Sequence, residues 1–155
     1  MPRRIIIHAG FHKTGTTTIQ ATLRENRVAL KKQIALRLRW HMKDIVTAAR
    51  GYSIDLDPLT LVKLQSRFGG MVNELPGMPR RTLIISAEEL SGHLPGRGGL
   101  ADYGAAPVLL YAYWEILRAL SGGGNHNLFV HPHARNLVEI GLLGTCKIFR
   151  HDAGF

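Results

Sequence analysis

Short apolar or alternating runs recur along the chain and predict β-strands. Residues 5–7 are three consecutive isoleucines, and residues 82–86 read TLIIS. Residues 34–40 alternate apolar with basic side chains, which is strand periodicity with one wet face, although a helical continuation of the preceding segment is an alternative there. A fourth strand is predicted over residues 127–130.

Segments with apolar residues at helical spacing separate these runs. The first has Ile19, Leu23 and Leu30 on one face and basic residues opposite. The predicted helices cover residues 17–33, 42–50, 58–75 and 109–120.

Local signals mark the ends of two of these helices. Asp57 and Pro58 form a typical start, an N-cap followed by proline at the first helical position. Gly69-Gly70 predicts a kink inside the same helix, and Pro76-Gly77 predicts its end. The glycine-rich residues 92–104 predict a loop.

The order β-α-β-α-β-α-β predicts an α/β fold with three layers, a central parallel sheet with helices on both faces. No internal repeat is present, and the 155 residues suit one domain. In such sheets ligands bind at the carboxyl ends of the strands.

A glycine-containing turn follows the first predicted strand and opens the first predicted helix. Its spacing from Gly10 through Gly15 nearly matches the nucleotide-binding signature G-x-x-x-x-G-K-[ST]. Thr16 stands where that signature has lysine, and the loop's lysine is Lys13. Unpaired main-chain N–H groups and the helix dipole attract an anion at such a turn. The segment therefore predicts a phosphate-binding loop of the P-loop type with a displaced cation.

The run HKTGTT at residues 12–17 resembles the 5′-phosphosulfate-binding loop of sulfotransferases that use 3′-phosphoadenosine 5′-phosphosulfate (PAPS). With His8 and Gly10 it follows the bacterial pattern H-x-G-x-H-K-T-G-T-T. The resemblance implies that Lys13 contacts the bridging and sulfonate oxygens. It implies that the 5′-phosphate is held by Thr14 to Thr18. The implied cofactor-binding residues of this loop are His12, Lys13, Thr14, Gly15, Thr16, Thr17 and Thr18.

Two glutamates follow the strand predicted over residues 82–86. The stretch LIISAEELS resembles the bacterial pattern, and several sulfotransferase subfamilies place a catalytic glutamate there. Glu88 or Glu89 is therefore a candidate base for the acceptor hydroxyl, beside Lys13 as the catalytic cation. The other interpretation is that these acids begin a helix and complement its dipole. His12 and His8 are alternative bases.

The resemblance weakens in the second half of the cofactor site. Arg135 is the candidate ligand of the 3′-phosphate, in a partial match to the family pattern R-N-P-x-D-x-x-x-S. Leu137, Glu139 and Leu143 stand where that pattern has proline, aspartate and serine. We therefore expect residues 1–155 to form one incomplete sulfotransferase-like domain, with residues 121–155 a poorly matching tail from a truncated or frame-shifted end.

The composition of the chain favours some classes of binding partner over others. Twenty Lys+Arg against eleven Asp+Glu give a net charge of +9 and a sequence pI near 10.3, which favours anionic partners. The basic residues are scattered without interleaved aromatics, so nucleic-acid binding is not expected. Cys146 is the single cysteine, and no apolar run reaches membrane-spanning length; both fit a cytoplasmic protein without membrane contact. His131 and His133 lack further ligands at suitable spacing, so no metal site is expected.

These observations predict a cytoplasmic sulfotransferase that moves the sulfonate of PAPS to a hydroxyl or amine acceptor. A P-loop nucleotide kinase or hydrolase is the alternative enzyme class. Two features disfavour the kinase or hydrolase: its lysine is displaced to Lys13, and Ser86 stands where a metal-binding aspartate would end the strand. A non-catalytic nucleotide-binding remnant of the same fold is the third interpretation. The acceptor and the oligomeric state have no signature in the sequence.

Overall fold

The computed structural model describes residues 4–11, 15–75 and 82–120. These ranges contain a mixed α/β fold. The strands are β1 (Arg4–His8), β2 (Ile34–Leu38) and β3 (Thr82–Ser86). The helices are α1 (Thr16–Glu25), α2 (Arg27–Leu30), α3 (Lys43–Asp55), α4 (Pro58–Asn73) and α5 (Ala106–Leu120). Two 3₁₀ turns follow strands, at Arg39–His41 and Glu88–Ser91.

The three strands form a small parallel sheet in the order β1-β3-β2. The predicted parallel arrangement is thus confirmed for the described part of the chain. The register places His8, Ser86 and Leu38 side by side at the carboxyl edge. Whatever follows each strand therefore begins at the same edge.

One face of the sheet carries the core. Ile5, Ile7, Leu83 and Ile85 are fully buried and pack with residues of α3, α4 and α5. Alternate residues of a strand point to opposite faces, which explains why Ile6 and others between them are only half-buried. The alternation sets which strand positions meet the helices.

The other face is bordered by α1 and α2. Register and alternation put Ile34, Leu36 and Leu38 on this face, opposite the core. Leu38 is buried, whereas Ile34 and Leu36 are half-buried. A groove separates these residues from the first two helices.

The helix predicted over residues 17–33 is divided at Asn26. The Asn26 N–H and its side-chain amide both donate to Thr22 O, at 3.0 Å and 2.9 Å, so this residue caps α1. A short asparagine side chain competes for backbone groups in this way. The alternative of a helical continuation over 34–40 is wrong, because residues 34–38 form β2.

The predicted helix starts and lengths hold with small changes. Asp57 caps α4, its carboxylate accepting from the N–H groups of Leu59 and Thr60 at 3.1 Å and 2.9 Å. The hydrogen bonds from the Thr60 hydroxyl and from these amides lower the pKa of Asp57. α4 continues unbroken through Gly69-Gly70. The helix predicted over residues 42–50 extends to Asp55.

Several predictions fall outside the described residues: the helix end at Pro76-Gly77 and the strand at residues 127–130. Within the described ranges, no helix combines the length and the apolar character that crossing a membrane requires.

Tyr113 supplies the largest fully buried side chain of the core. Its ring lies against Phe68, with ring centroids 4.7 Å apart. Its hydroxyl is buried and has no hydrogen-bond partner among the described residues. Burial raises the pKa of this phenol, so the group stays neutral.

We predict that Tyr113→Phe leaves the free energy of unfolding unchanged or raises it by about 1 kcal/mol, because it removes a polar atom that pays for desolvation without a bond. Urea denaturation measures this. Tyr113→Ala is the contrasting variant and should cost about 3–5 kcal/mol through the cavity it leaves. A loss above about 1 kcal/mol in Tyr113→Phe would show that the hydroxyl has a partner.

Candidate functional site

The carboxyl edge of the sheet gathers three segments from distant parts of the chain. Residues 9–11 follow β1, Arg39–His41 follow β2, and Glu88–Ser91 follow β3. The Ala87 N–H donates to His8 O at 3.2 Å and extends the β1–β3 ladder by one bond. The edge where ligands bind in parallel sheets thus holds the described residues 9–11 after β1 and the two candidate glutamates after β3.

A buried pair joins the last residues of β1 and β3. His8 Nδ1 and Ser86 Oγ form a hydrogen bond of 2.8 Å, and the two residues are 8% and 0% exposed. His8, one of the alternative bases predicted from the sequence, is thereby joined to the last residue of β3. Ser86, at the position where a nucleotide hydrolase would have its aspartate, has its hydroxyl bonded to this imidazole.

Ser91 ties the segment after β3 to the segment after β1. Its hydroxyl lies 2.8 Å from Glu88 O, 3.2 Å from Ala9 O and 3.2 Å from Gly10 O. A hydroxyl has one hydrogen to donate, so these carbonyls share it. Ser91 is 1% exposed. It was present in the stretch LIISAEELS, but sequence reasoning assigned it no role.

The first turn of α1 begins at Gly15. Gly15 is the N-cap, with φ 80° and ψ 5°, a left-handed conformation that glycine adopts at low cost. The N–H groups of Thr18 and Ile19 bond back to Gly15 O at 3.1 Å and 3.3 Å. Gly15 has no side chain to cap the helix, and the first turn contains no acidic residue. The partial positive charge at this end of the helix dipole is therefore not neutralised by a carboxylate within the first turn.

The predicted loop residues are only partly described. His12, Lys13 and Thr14 lie outside the described residues, as does the side chain of Thr16. Thr17 and Thr18 are exposed on the first turn of α1. The Thr17 hydroxyl donates to Glu88 Oε1 at 3.4 Å, a long hydrogen bond that brings together the α1 terminus and the segment after β3.

The two candidate glutamates have different surroundings. Glu88 is half-buried and lies beside Thr17. Glu89 is 8% exposed, and its Oε1 forms an ion pair of 2.8 Å with Arg39 Nε. Both lie in the first turn of a four-residue 3₁₀ helix, so the alternative that these acids begin a helix is confirmed, although the helix is short and of the 3₁₀ type. The sequence placed Arg39 on the wet face of the alternating run 34–40 and among the scattered basic residues, and it predicted no partner for it.

The predicted loop at residues 92–104 packs against the segment after β1. The rings of Phe11 and Tyr103 have centroids 4.4 Å apart. Gly92 has φ 104°, and a Cβ there would lie 2.8 Å from Ser53 Cβ, so only glycine fits at the start of this loop. The backbone at the start of this loop is therefore constrained to glycine, and the loop borders the candidate site through Tyr103.

The remaining predicted ligands lie elsewhere. Arg135, His131 and His133 are outside the described residues. Among residues 4–11, 15–75 and 82–120, no group of three or more histidine, cysteine, aspartate or glutamate side chains is placed to hold a metal ion.

Comparison with family models, curated proteins and solved structures found no match to this chain. The residues themselves are therefore the basis for any functional proposal.

We predict that Ser91→Ala loosens the segment after β1. Loss of the shared hydrogen bond should cost about 1 kcal/mol of unfolding free energy and speed amide exchange in residues 9–11 and 15–18. Hydrogen–deuterium exchange measures this segment by segment.

Ser53→Ala is the matched control. Ser53 is also buried, and its hydroxyl donates to Arg50 O and accepts from the His93 N–H, both at 2.8 Å. It should lose similar stability without faster exchange in residues 9–11. Equal exchange in the two variants would contradict the role given to Ser91.

Proposed function

We propose that the protein is a sulfotransferase that transfers the sulfonate group of PAPS to a hydroxyl or amine acceptor. The proposed architecture is a three-layer α/β fold in which the turn between β1 and α1 is a P-loop-type phosphate-binding loop. The observation that carries the proposal is the contact between Thr17, on the first turn of α1, and the carboxylate of Glu88. This contact supports the proposal because the proposed base then lies beside the proposed anion-binding terminus.

The α1 terminus suits the 5′-phosphosulfate end of the cofactor. A helix N-terminus leaves its first N–H groups without intrahelical acceptors, and Gly15 allows a ligand to approach the backbone closely. By resemblance, His12, Lys13 and Thr14 complete this loop, with Thr16, Thr17 and Thr18 on the helix. Arg135 would bind the 3′-phosphate, also by resemblance.

Sulfonyl transfer requires a base and a stabilised leaving group. The acceptor oxygen or nitrogen attacks sulfur, its proton passes to a carboxylate, and the bond between sulfur and the bridging phosphate oxygen breaks. The products are the sulfated acceptor and 3′,5′-adenosine bisphosphate. Lys13 and the α1 amides would stabilise the charge that develops on the leaving phosphate.

Glu88 is the better base of the two glutamates. Its carboxylate is half-buried and next to Thr17, so it borders the volume where a bound phosphosulfate would lie. The Glu89 carboxylate is more deeply buried and already has a guanidinium partner in Arg39. Glu89 is accordingly a positioning residue that joins the segments after β2 and β3.

A nucleotide kinase or hydrolase receives less support. Such enzymes hold Mg²⁺ with an aspartate after a buried strand. The corresponding position is Ser86, whose hydroxyl is occupied by His8. The third interpretation, a nucleotide-binding module without catalysis, shares the loop and differs in turnover alone.

Lys13→Ala should abolish binding of 3′,5′-adenosine bisphosphate, because the loop loses its cation, while the unfolding free energy changes by less than about 1 kcal/mol. Isothermal titration calorimetry measures binding, with ATP and Mg²⁺ as the competing ligand. Lys63→Ala removes an equal charge from exposed α4 and should bind as the parent does. Equal affinity in Lys13→Ala and the parent, or preferential binding of ATP with Mg²⁺, would contradict the proposal.

Glu88→Gln should lower sulfonate transfer by about 10²-fold or more, because the acceptor proton loses its base, with bisphosphate affinity preserved. Transfer from labelled PAPS to a panel of phenols, alcohols and amines measures this. Glu89→Gln should lower transfer less and unfold earlier, because it leaves Arg39 without its partner. Similar transfer rates in Glu88→Gln and the parent would remove Glu88 from the mechanism; bisphosphate binding without turnover in the parent would favour the non-catalytic module.

A further inference from the structure

A groove of about 300 Å³ lies between β2 on one side and α1 with α2 on the other. It is called the basic groove below. It lies on the sheet face opposite the core, and among the described residues neither Gly15, Thr17 nor Thr18 of the proposed PAPS site lines it. Its volume is at the lower end of the range of small-molecule sites, which is about 300–1,000 Å³.

The helical wall of the basic groove is cationic. Arg24, Arg27 and Lys31 line it, and no acidic side chain from the described part of the chain does. Three like charges around one cavity repel one another and attract an anion. His41 also lines the groove, and its Nδ1 accepts the Leu38 N–H at 3.1 Å. In the neutral imidazole the remaining nitrogen then carries the proton and is a further donor.

The strand wall is apolar. Ile34 and Leu36 line it and are half-buried, and Trp40, which is 45% exposed, lines it as well. Across from them Val28 is 66% exposed. An exposed indole with aliphatic neighbours offers a surface on which a flat apolar body gains by desolvation.

We propose that the basic groove binds a small amphiphilic anion: one or two rings that bear a carboxylate, sulfate or phosphate. The ring system lies on Trp40, Ile34 and Leu36, and the anionic group meets Arg27 and Lys31. Charge complementarity selects this occupant over other parts of the same protein. Residues 121–155 contain three basic residues against two acidic ones, and the whole chain carries +9, so neither the tail nor a second copy supplies the missing negative charge.

Naphthalene-1-sulfonate is the probe. Naphthalene-1-sulfonamide has the same rings without the charge, and methanesulfonate has the charge without the rings. Calorimetry should show saturable binding of the sulfonate, tighter than either comparator by about tenfold, which corresponds to about 1.4 kcal/mol. In parallel, the indole N–H resonance of Trp40 should shift on titration; Trp114→Phe identifies it, since the chain has two tryptophans.

Two double variants test the cations. Arg27→Gln/Lys31→Gln should weaken naphthalene-1-sulfonate binding about tenfold or more. Lys32→Gln/Lys63→Gln removes the same charge from exposed positions that do not line the groove and should stay within about twofold of the parent. Both should bind 3′,5′-adenosine bisphosphate as the parent does, so that a failure of this inference and a failure of the proposed sulfotransferase remain distinguishable.

The inference is overturned by equal weakening in both double variants, or by sulfonamide or methanesulfonate binding as tightly as the sulfonate. It is also overturned if Lys13→Ala abolishes sulfonate binding, which would place the probe in the loop after β1. A Trp40 resonance that responds to protein concentration and not to the probe would assign the basic groove to a second copy. If the groove variant fails to fold, the comparison of the three ligands on the parent protein decides.

Discussion

The parallel pairing of β1 with β3 is the constraint from which the candidate site follows. It aligns His8 with Ser86, and a buried hydrogen bond joins these two residues, so β1 and β3 end side by side at the edge of the sheet. Ser91 then fastens the two departing segments through the carbonyls of Ala9 and Gly10. Because these groups are buried, water does not compete for the bonds, and breaking them would leave polar atoms unsatisfied.

This constraint separates the roles of two adjacent acids. Once the 3₁₀ turn after β3 is anchored by Ser91, Glu89 is held in the interior against Arg39, and Glu88 is placed beside Thr17. Of these two glutamates, Glu89 is therefore buried in an ion pair, whereas Glu88 is more accessible. The core beneath the sheet is built from Ile5, Ile7, Leu83 and Ile85, which pack with residues of α3, α4 and α5.

Local sequence patterns predicted most of the helices and strands but few of the tertiary contacts between them. The apolar runs of β1 and β3 were evident because both strands are buried on one face, and β2 was evident because its wet side carries Arg37. Asp57 predicted the start of α4 because an N-cap hydrogen bond joins residues that are close in sequence. The strand order β1-β3-β2 was not foreseen, since hydrophobic periodicity carries no information about which strands are neighbours. Ser91 and Arg39 were missed for the same reason: their partners lie 82, 81 and 50 positions away in sequence.

In the proposed function, the turn between β1 and α1 binds the phosphosulfate end of PAPS next to Glu88. A crystal structure of the full chain with 3′,5′-adenosine bisphosphate is the decisive measurement. We expect the 5′-phosphate to lie against the N–H groups that open α1, within reach of Lys13, and the Glu88 carboxylate to border the position of the absent sulfonate. A bisphosphate bound elsewhere, or a loop whose N–H groups are already satisfied by the protein's own carbonyls and side chains, would contradict it.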